Sequence, residues 1–244
     1  MRRAAYLLCA LIVGCHRTGP QTGAGGAADD QEPDAQAAIA AEHSMAGMVS
    51  NEDLHLRLTP ARPPAPGDSA RAAAVLATMR QELAKYRDVR VAEDEGFREI
   101  IPTPGAPVHH LTKLEWAVLA RNGLDPARPT SLLYQSDASG GVTLVGAMFT
   151  APARVGDDDL NARLPLSIVR WHEHINWCLP PLGQANRWRE TRNGAPVFGP
   201  KSPIATAEAC DAVGGRFRPR LFGWMVHVMA FAAGDPWNGG AHHH

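Results

Sequence analysis

The chain has 244 residues, 45% hydrophobic and 20% charged, a balance that supports a buried core and excludes a wholly disordered protein. Its 24 Lys and Arg against 25 Asp and Glu leave a formal charge of −1, so no basic excess points to nucleic acid and no acidic tail to a cationic partner. The 23 glycines and 20 prolines predict many turns and a long irregular segment.

The chain opens "MRRAAYLLCALIVGC". Arg2 and Arg3 form a positive head, and Tyr6 to Val13 is an apolar run too short to span a bilayer comfortably, which reads as a signal peptide rather than a transmembrane helix. The ending "IVGC" resembles a bacterial lipobox, in which small residues precede a cysteine. By that resemblance residues 1–14 are removed and Cys15 becomes a lipidated N-terminus that holds a soluble domain at a membrane. The alternative is a plain secretory signal with a chance cysteine. His16 stands where an aspartate would resemble an inner-membrane retention signal, so the expected location is the outer membrane, facing the periplasm.

Residues 15–66 read as a disordered, lipid-anchored tether. Residues 16–45 are rich in Gly, Ala, Gln and Asp and lack aromatics, and "TPARPPAPGD" at 59–68 is a stiff, proline-rich joint. A single domain is expected over 67–235, with 236–244 as a tail; the closing His242–His244 run has no role in this reading.

Within that domain, Asp68 or Ser69 can cap a helix whose Leu76, Met79, Leu83 and Tyr86 recur at helical spacing, with room to continue through "VAEDEGF". A proline-bounded loop holding His109 and His110 follows. Next comes a short helix around Glu115 to Arg121, closed by Gly123 and Asp125-Pro126. "TSLLYQSDASGGVTLVGAMFTAP" predicts two strands joined by a Ser/Gly turn. "DDDLNARLP" is a short helix whose aspartates suit its N-terminus better than a metal cage. "LSIVRWHEHINW" returns to a strand, "PIATAEACDAVGGRF" is a small helix ended by a glycine pair, and "GWMVHVMAF" is a last apolar strand. The fold class is α+β, an antiparallel sheet with helices packed on one face.

If Cys9 leaves with the signal and Cys15 carries lipid, Cys178 and Cys210 remain. Two cysteines in an oxidising compartment most often pair, closing a loop worth roughly 3 kcal/mol. The sharper alternatives are a catalytic thiol or a metal thiolate.

On a strand, side chains alternate between faces, so His172 and His174 point the same way, about 6.5–7 Å apart at Cα, while Trp171, Glu173 and Ile175 point to the other. Neutral imidazole is the commonest metal ligand, and an H-x-H pair can converge on one ion. A third and fourth ligand are expected from His110, His227 and, more weakly, His109. Zinc is the default for such a set. Copper is the alternative, since Met225 and Met229 offer soft sulfur on the His227 face. Against this stands core packing, because a buried histidine often only donates to a carbonyl.

If the site catalyses, as a metal-dependent hydrolase or oxidoreductase, Glu115 is a better-placed base than Glu173, which faces away. No G-x-S-x-G, H-E-x-x-H, P-loop or dinucleotide motif is present.

The phrases "HHLTKLEW", "LDPARPTSLLYQ", "GVTLVGAMFTAP", "LPLSIVRWHEHINWCLP", "ACDAVGGRF" and "FGWMVHVMAF" resemble a family of uncharacterised bacterial exported proteins and lipoproteins over about residues 95–231. The resemblance implies no activity. It implies that His110, His172, His174, Cys178, Cys210 and His227 belong to recurring phrases; His109 is the weaker match, and Met225 and Met229 are not carried over as ligands. The expectation is thus an exported, lipid-anchored protein binding one metal ion. A structural or small-molecule-binding lipoprotein is the non-metal alternative.

Overall fold

The computed structural model describes residues 54–100, 107–137 and 139–237. The expected signal peptide, Cys15, residues 15–53 and most of the tail lie outside the described residues. The described chain forms an antiparallel sheet with helices, as the sequence predicts.

Its strands are β1 (Leu56–Leu58), β2 (Arg98–Glu99), β3 (Val108–Thr112), β4 (Ser131–Ser136), β5 (Val142–Ala151), β6 (His172–Leu179), β7 (Thr191–Arg192), β8 (Ala195–Pro196), β9 (Arg216–Arg220) and β10 (Trp224–Val228). The helices are α1 (Asp68–Glu82), α2 (Val89–Asp94), α3 (Leu114–Leu119), α4 (Asp157–Arg163) and α5 (Ala207–Asp211). The main sheet runs β1-β6-β10-β5-β4-β3-β2, with β9 pairing the second half of β6 and β7-β8 a separate ribbon.

One face of the sheet is the apolar core. Trp171, Val226, Phe149, Ala147, Leu132, Tyr134 and Leu111 meet Met79, Leu83 and Tyr86 from α1 and the 3-10 turn after it, Ala92 from α2 and Leu160 from α4. The helical spacing of Met79, Leu83 and Tyr86 is what puts all three fully inside. α1 does not run on through "VAEDEGF". It ends at Leu83, a 3-10 turn spans Ala84–Arg87, and Asp88 starts α2 by accepting from the Arg90 N–H. Gly67, with φ 89°, occupies the α1 cap position expected for Asp68, and Asp68 instead accepts from Ala65 N and Ser167 Oγ.

Two boundaries differ from the sequence reading. The tether assigned to 15–66 contains a strand: β1 pairs with β6, Leu56 opposite His174 and Leu58 opposite His172. His55 and Thr59 beside it are buried, so the ordered fold begins by residue 54 rather than 67. The second difference is the loop assigned to His109 and His110, which is strand β3, paired residue for residue with β4.

Cys178 at the end of β6 is bonded to Cys210 in α5, with Cα atoms 5.4 Å apart. Thr206 caps α5 by accepting from Ala209 N, and Gly214 ends it at φ 65°. Gly215 then passes over the bridge. A Cβ there would stand 2.5 Å from Cys178 Sγ and 2.7 Å from Cys210 Sγ, so glycine is needed for close approach rather than for its dihedral freedom. Reduction of this bridge, which spans a sequence separation of 32, is expected to lower unfolding free energy by about 3–4 kcal/mol in the chain-entropy model. Urea denaturation with and without reductant, or of Cys178→Ser/Cys210→Ser, measures it.

Candidate functional site

The face of the sheet opposite the core carries the histidines. Paired residues in an antiparallel ladder share a face, so the register alone assigns them. His172 lies opposite Met225, and His227, two residues on, lies opposite Met148. Met148 lies opposite Ser131, and Ser131 opposite Thr112, two residues from His110. His110, His172, His174 and His227 therefore occupy one surface, while Trp171, Glu173, Val226 and Leu111 occupy the other.

β3 and β10 are separated by β4 and β5, which on a flat sheet puts them about 14 Å apart. Yet His110 Nε2 is 3.5 Å from His227 Nε2. The sheet must curl toward its histidine face for these rings to meet. Two local features serve that curl. A register irregularity interrupts the β4–β5 ladder between Leu133 and Tyr134. At the same place Gly146, opposite Leu133, lets the end of β10 press onto β5: a Cβ at Gly146 would fall 2.3 Å from the Val228 carbonyl oxygen.

The rings form a row. Centroids stand 5.5 Å apart for His110–His227, 5.3 Å for His227–His172 and 5.7 Å for His172–His174. His174 continues it edge-on to Trp177 at 5.5 Å and to Phe222 at 6.1 Å. On an unbroken pleat Trp177 would face away from His174. Asn176, at φ 57°, breaks the alternation and turns the indole in beside the histidines.

A fifth histidine closes this end. His55, just before β1, is buried and packs edge-on to Trp177. Its Nε2 donates to the Ser202 carbonyl at 2.7 Å, since a carbonyl can only accept. Sequence reasoning missed His55 because it lay in the segment taken for tether. The alternation in "HLRLT" was the available signal.

Electrostatics follow from burial. His110, His172 and His174 are 5% exposed or less, and His227 is partly open to solvent. Desolvation, with the His110 ring next to it, pushes His172 down to about 4. Burial first, then the neighbouring rings, holds His174 and His227 well below the ordinary histidine range. At neutral pH these three rings are neutral imidazoles, the form that offers a nitrogen lone pair. Two nitrogens 3.5 Å apart make a long hydrogen bond. Two ligands of a tetrahedral zinc ion at 2.0–2.1 Å lie about 3.3 Å apart. Among the described residues, however, no group of three or more His, Cys, Asp or Glu side chains is already disposed about one ion. The row is extended rather than convergent beyond the His110–His227 pair.

The other sequence-predicted residues lie elsewhere. His109 points to the opposite face of β3, with Nδ1 2.8 Å from Glu99 Oε1 and Nε2 2.8 Å from Ser136 Oγ. It is not part of the row, because neighbours on a strand face opposite ways. The Glu115 carboxylate is 68% exposed and paired with Lys113 at 3.2 Å, outside the buried histidines. Glu173 faces away from them, as expected, fully buried and clamped by Arg57 and, at 3.1 Å, by Arg220. Met225 is buried on the histidine face, whereas Met229 lies past the end of β10. Cys178 and Cys210 are joined in the disulfide.

No family model, curated protein or solved structure matches this chain.

Proposed function

We propose that this is an exported, lipid-anchored periplasmic protein whose histidine face binds one zinc ion. The observation that carries the reading is the His110–His227 pair. Two imidazole nitrogens from strands three apart, one ring buried and the other half-buried, stand 3.5 Å from one another, near the ligand-to-ligand distance of a tetrahedral zinc ion. His172, whose ring neighbours His227, is the third ligand, and His174 lies next in the row. Coordination by more than two rings requires side-chain rotation. The residues otherwise fit the ion: the His172 and His227 rings are held neutral by burial, so binding need not expel a proton from them.

The exported location is supported by the lipobox-like "IVGC" and by the Cys178–Cys210 bridge, a bond that persists in oxidising compartments. Binding is favoured over metal-dependent hydrolysis because neither Glu115 nor Glu173 shares the histidine face. Copper is the second reading, favoured by Met225, buried directly opposite His172.

The test is calorimetric titration of chelator-treated protein in which His242, His243 and His244 are replaced by alanine, so that the terminal run contributes nothing. One zinc per chain is expected. His110→Ala and His227→Ala should each weaken binding by more than the roughly 10–100-fold that loss of a supporting residue costs. Absent binding, or binding unchanged in the folded double variant, refutes the assignment. Displacement of zinc by equimolar copper(I) would select the second reading.

A further inference from the structure

A different set of side chains on the core side of the sheet forms a second chemical constellation. Ser136 Oγ is 2.8 Å from His109 Nε2, and His109 Nδ1 is 2.8 Å from Glu99 Oε1. A carboxylate can only accept, so Glu99 fixes the proton of the neutral ring on Nδ1. That leaves Nε2 to accept from the Ser136 hydroxyl. Hydroxyl, imidazole and carboxylate thus stand in the order, and through the ring nitrogens, of a serine-nucleophile triad.

The register builds this set. β2, β3 and β4 are adjacent, and His109 lies opposite Tyr134, so Ser136 is its diagonal neighbour two residues along. All three residues line one cavity of about 440 Å³, walled in addition by Val89, Phe97 and Val142. Ser136 is exposed, and the His109 and Glu99 side chains are 22% and 34% exposed, so the hydroxyl is open to a ligand. The cavity size is that of a small-molecule site, and its walls mix apolar surface with a few polar groups. Arg98 lines it too, its guanidinium donating to the Glu93 and Phe97 carbonyls.

We propose that Ser136, His109 and Glu99 form an acyl-transfer site for small, uncharged esters with an apolar acyl group. Ser136 Oγ attacks the ester carbonyl, and its proton passes to His109 Nε2. The carbonyl-to-alkoxide bond breaks, and that proton leaves with the alcohol. Water then cleaves the Ser136 ester by the same route, returning acid and free enzyme. Ser136 and His109 are the catalytic residues. Glu99 acts through His109 and is a positioning residue. Glu93 and Glu99 on the cavity wall disfavour anionic substrates.

The test treats the full chain with diisopropyl fluorophosphate. A bond from Ser136 Oγ to phosphorus replaces the phosphorus–fluorine bond, fluoride leaves, and the proton goes through His109 to solvent. Tandem mass spectrometry should place the adduct on Ser136 rather than Ser131 or Ser139, both with and without chelator. Ser136→Ala should remove it. His109→Gln should slow labelling and p-nitrophenyl butyrate hydrolysis by about 100-fold or more. Glu99→Gln should slow both steps, and Glu99→Asp should restore part of the rate, which a merely structural hydrogen-bond chain would not show. No adduct at Ser136 on the wild-type protein overturns the proposal, as does an adduct that forms equally fast in His109→Gln or only when zinc is present.

Discussion

Lowering the pH from 6.5 to 4 in metal-free buffer is expected to cost the folded protein about 3 kcal/mol through His172 alone. The sign follows from where the proton sits. An unfolded histidine titrates near 6.5, whereas burial holds folded His172 at about 4. Above 6.5 both states are neutral and the full stability is present. Between 6.5 and 4 the unfolded chain takes up a proton that the folded protein refuses, so stability drains away as the pH falls. His174 and His227, also held well below the usual range, add to the loss in the same direction. The carboxylates lowered by their own partners, Asp68, Asp137 and Glu95, add to the loss in the same direction only toward the acid end of this window, so the slope above about pH 5 belongs to the histidines. Urea denaturation at half-unit pH steps in chelator measures the slope, and His172→Gln should flatten it. Stability unchanged between pH 6.5 and 4.5 would show that these rings are not buried as described.

On the other side of β6, Glu173 should prove equally sensitive. Its side chain has no exposure, and it is held by Arg57, across the β1 ladder, and by Arg220 at 3.1 Å. Arg57 also lies 4.8 Å over the Trp224 ring. A buried carboxylate stripped of its cations is an uncompensated charge, and breaking such pairs costs about 3–5 kcal/mol. Arg57→Ala/Arg220→Ala is expected to lose that much in denaturant titration. Each single variant should lose less, because the other guanidinium remains. Adding Glu173→Leu to the double variant should recover part of the loss, since it removes a buried charge that has lost both of these guanidinium partners. A double variant as stable as wild type would mean that Glu173 is neutral or otherwise solvated.

Periodicity within a segment was the legible part. The β4–β5 hairpin, the inward facing of Met79, Leu83 and Tyr86 along α1 and the 3-10 turn after it, and the opposed facing of His172 and Glu173 all follow from local spacing and turn residues. The Cys178–Cys210 pairing followed from compartment and count rather than from geometry. Pairing between distant segments was not legible. β1 is three residues long and sits between a polar stretch and a proline-rich one, so the short alternation in "HLRLT" is the only local mark of it; its partner β6 makes it a strand. Prolines bound the run at 107–112, which makes it read as a loop and keeps His109 and His110 together, whereas strand alternation sends them to opposite faces. Convergence of His110 on His227 depends on sheet curl set by the β4–β5 irregularity and Gly146. The Ser136–His109–Glu99 set depends on the register of three strands.

The most direct measurement on the histidine face is X-ray absorption at the zinc edge, on zinc-loaded protein lacking His242–His244. Binding by His110, His227 and His172 predicts at least three imidazole nitrogens at 2.0–2.1 Å and no sulfur, with that imidazole scattering lost in His110→Ala/His227→Ala. A spectrum of hydrated zinc, or one unchanged by the double substitution, would contradict it and leave the row as packing alone.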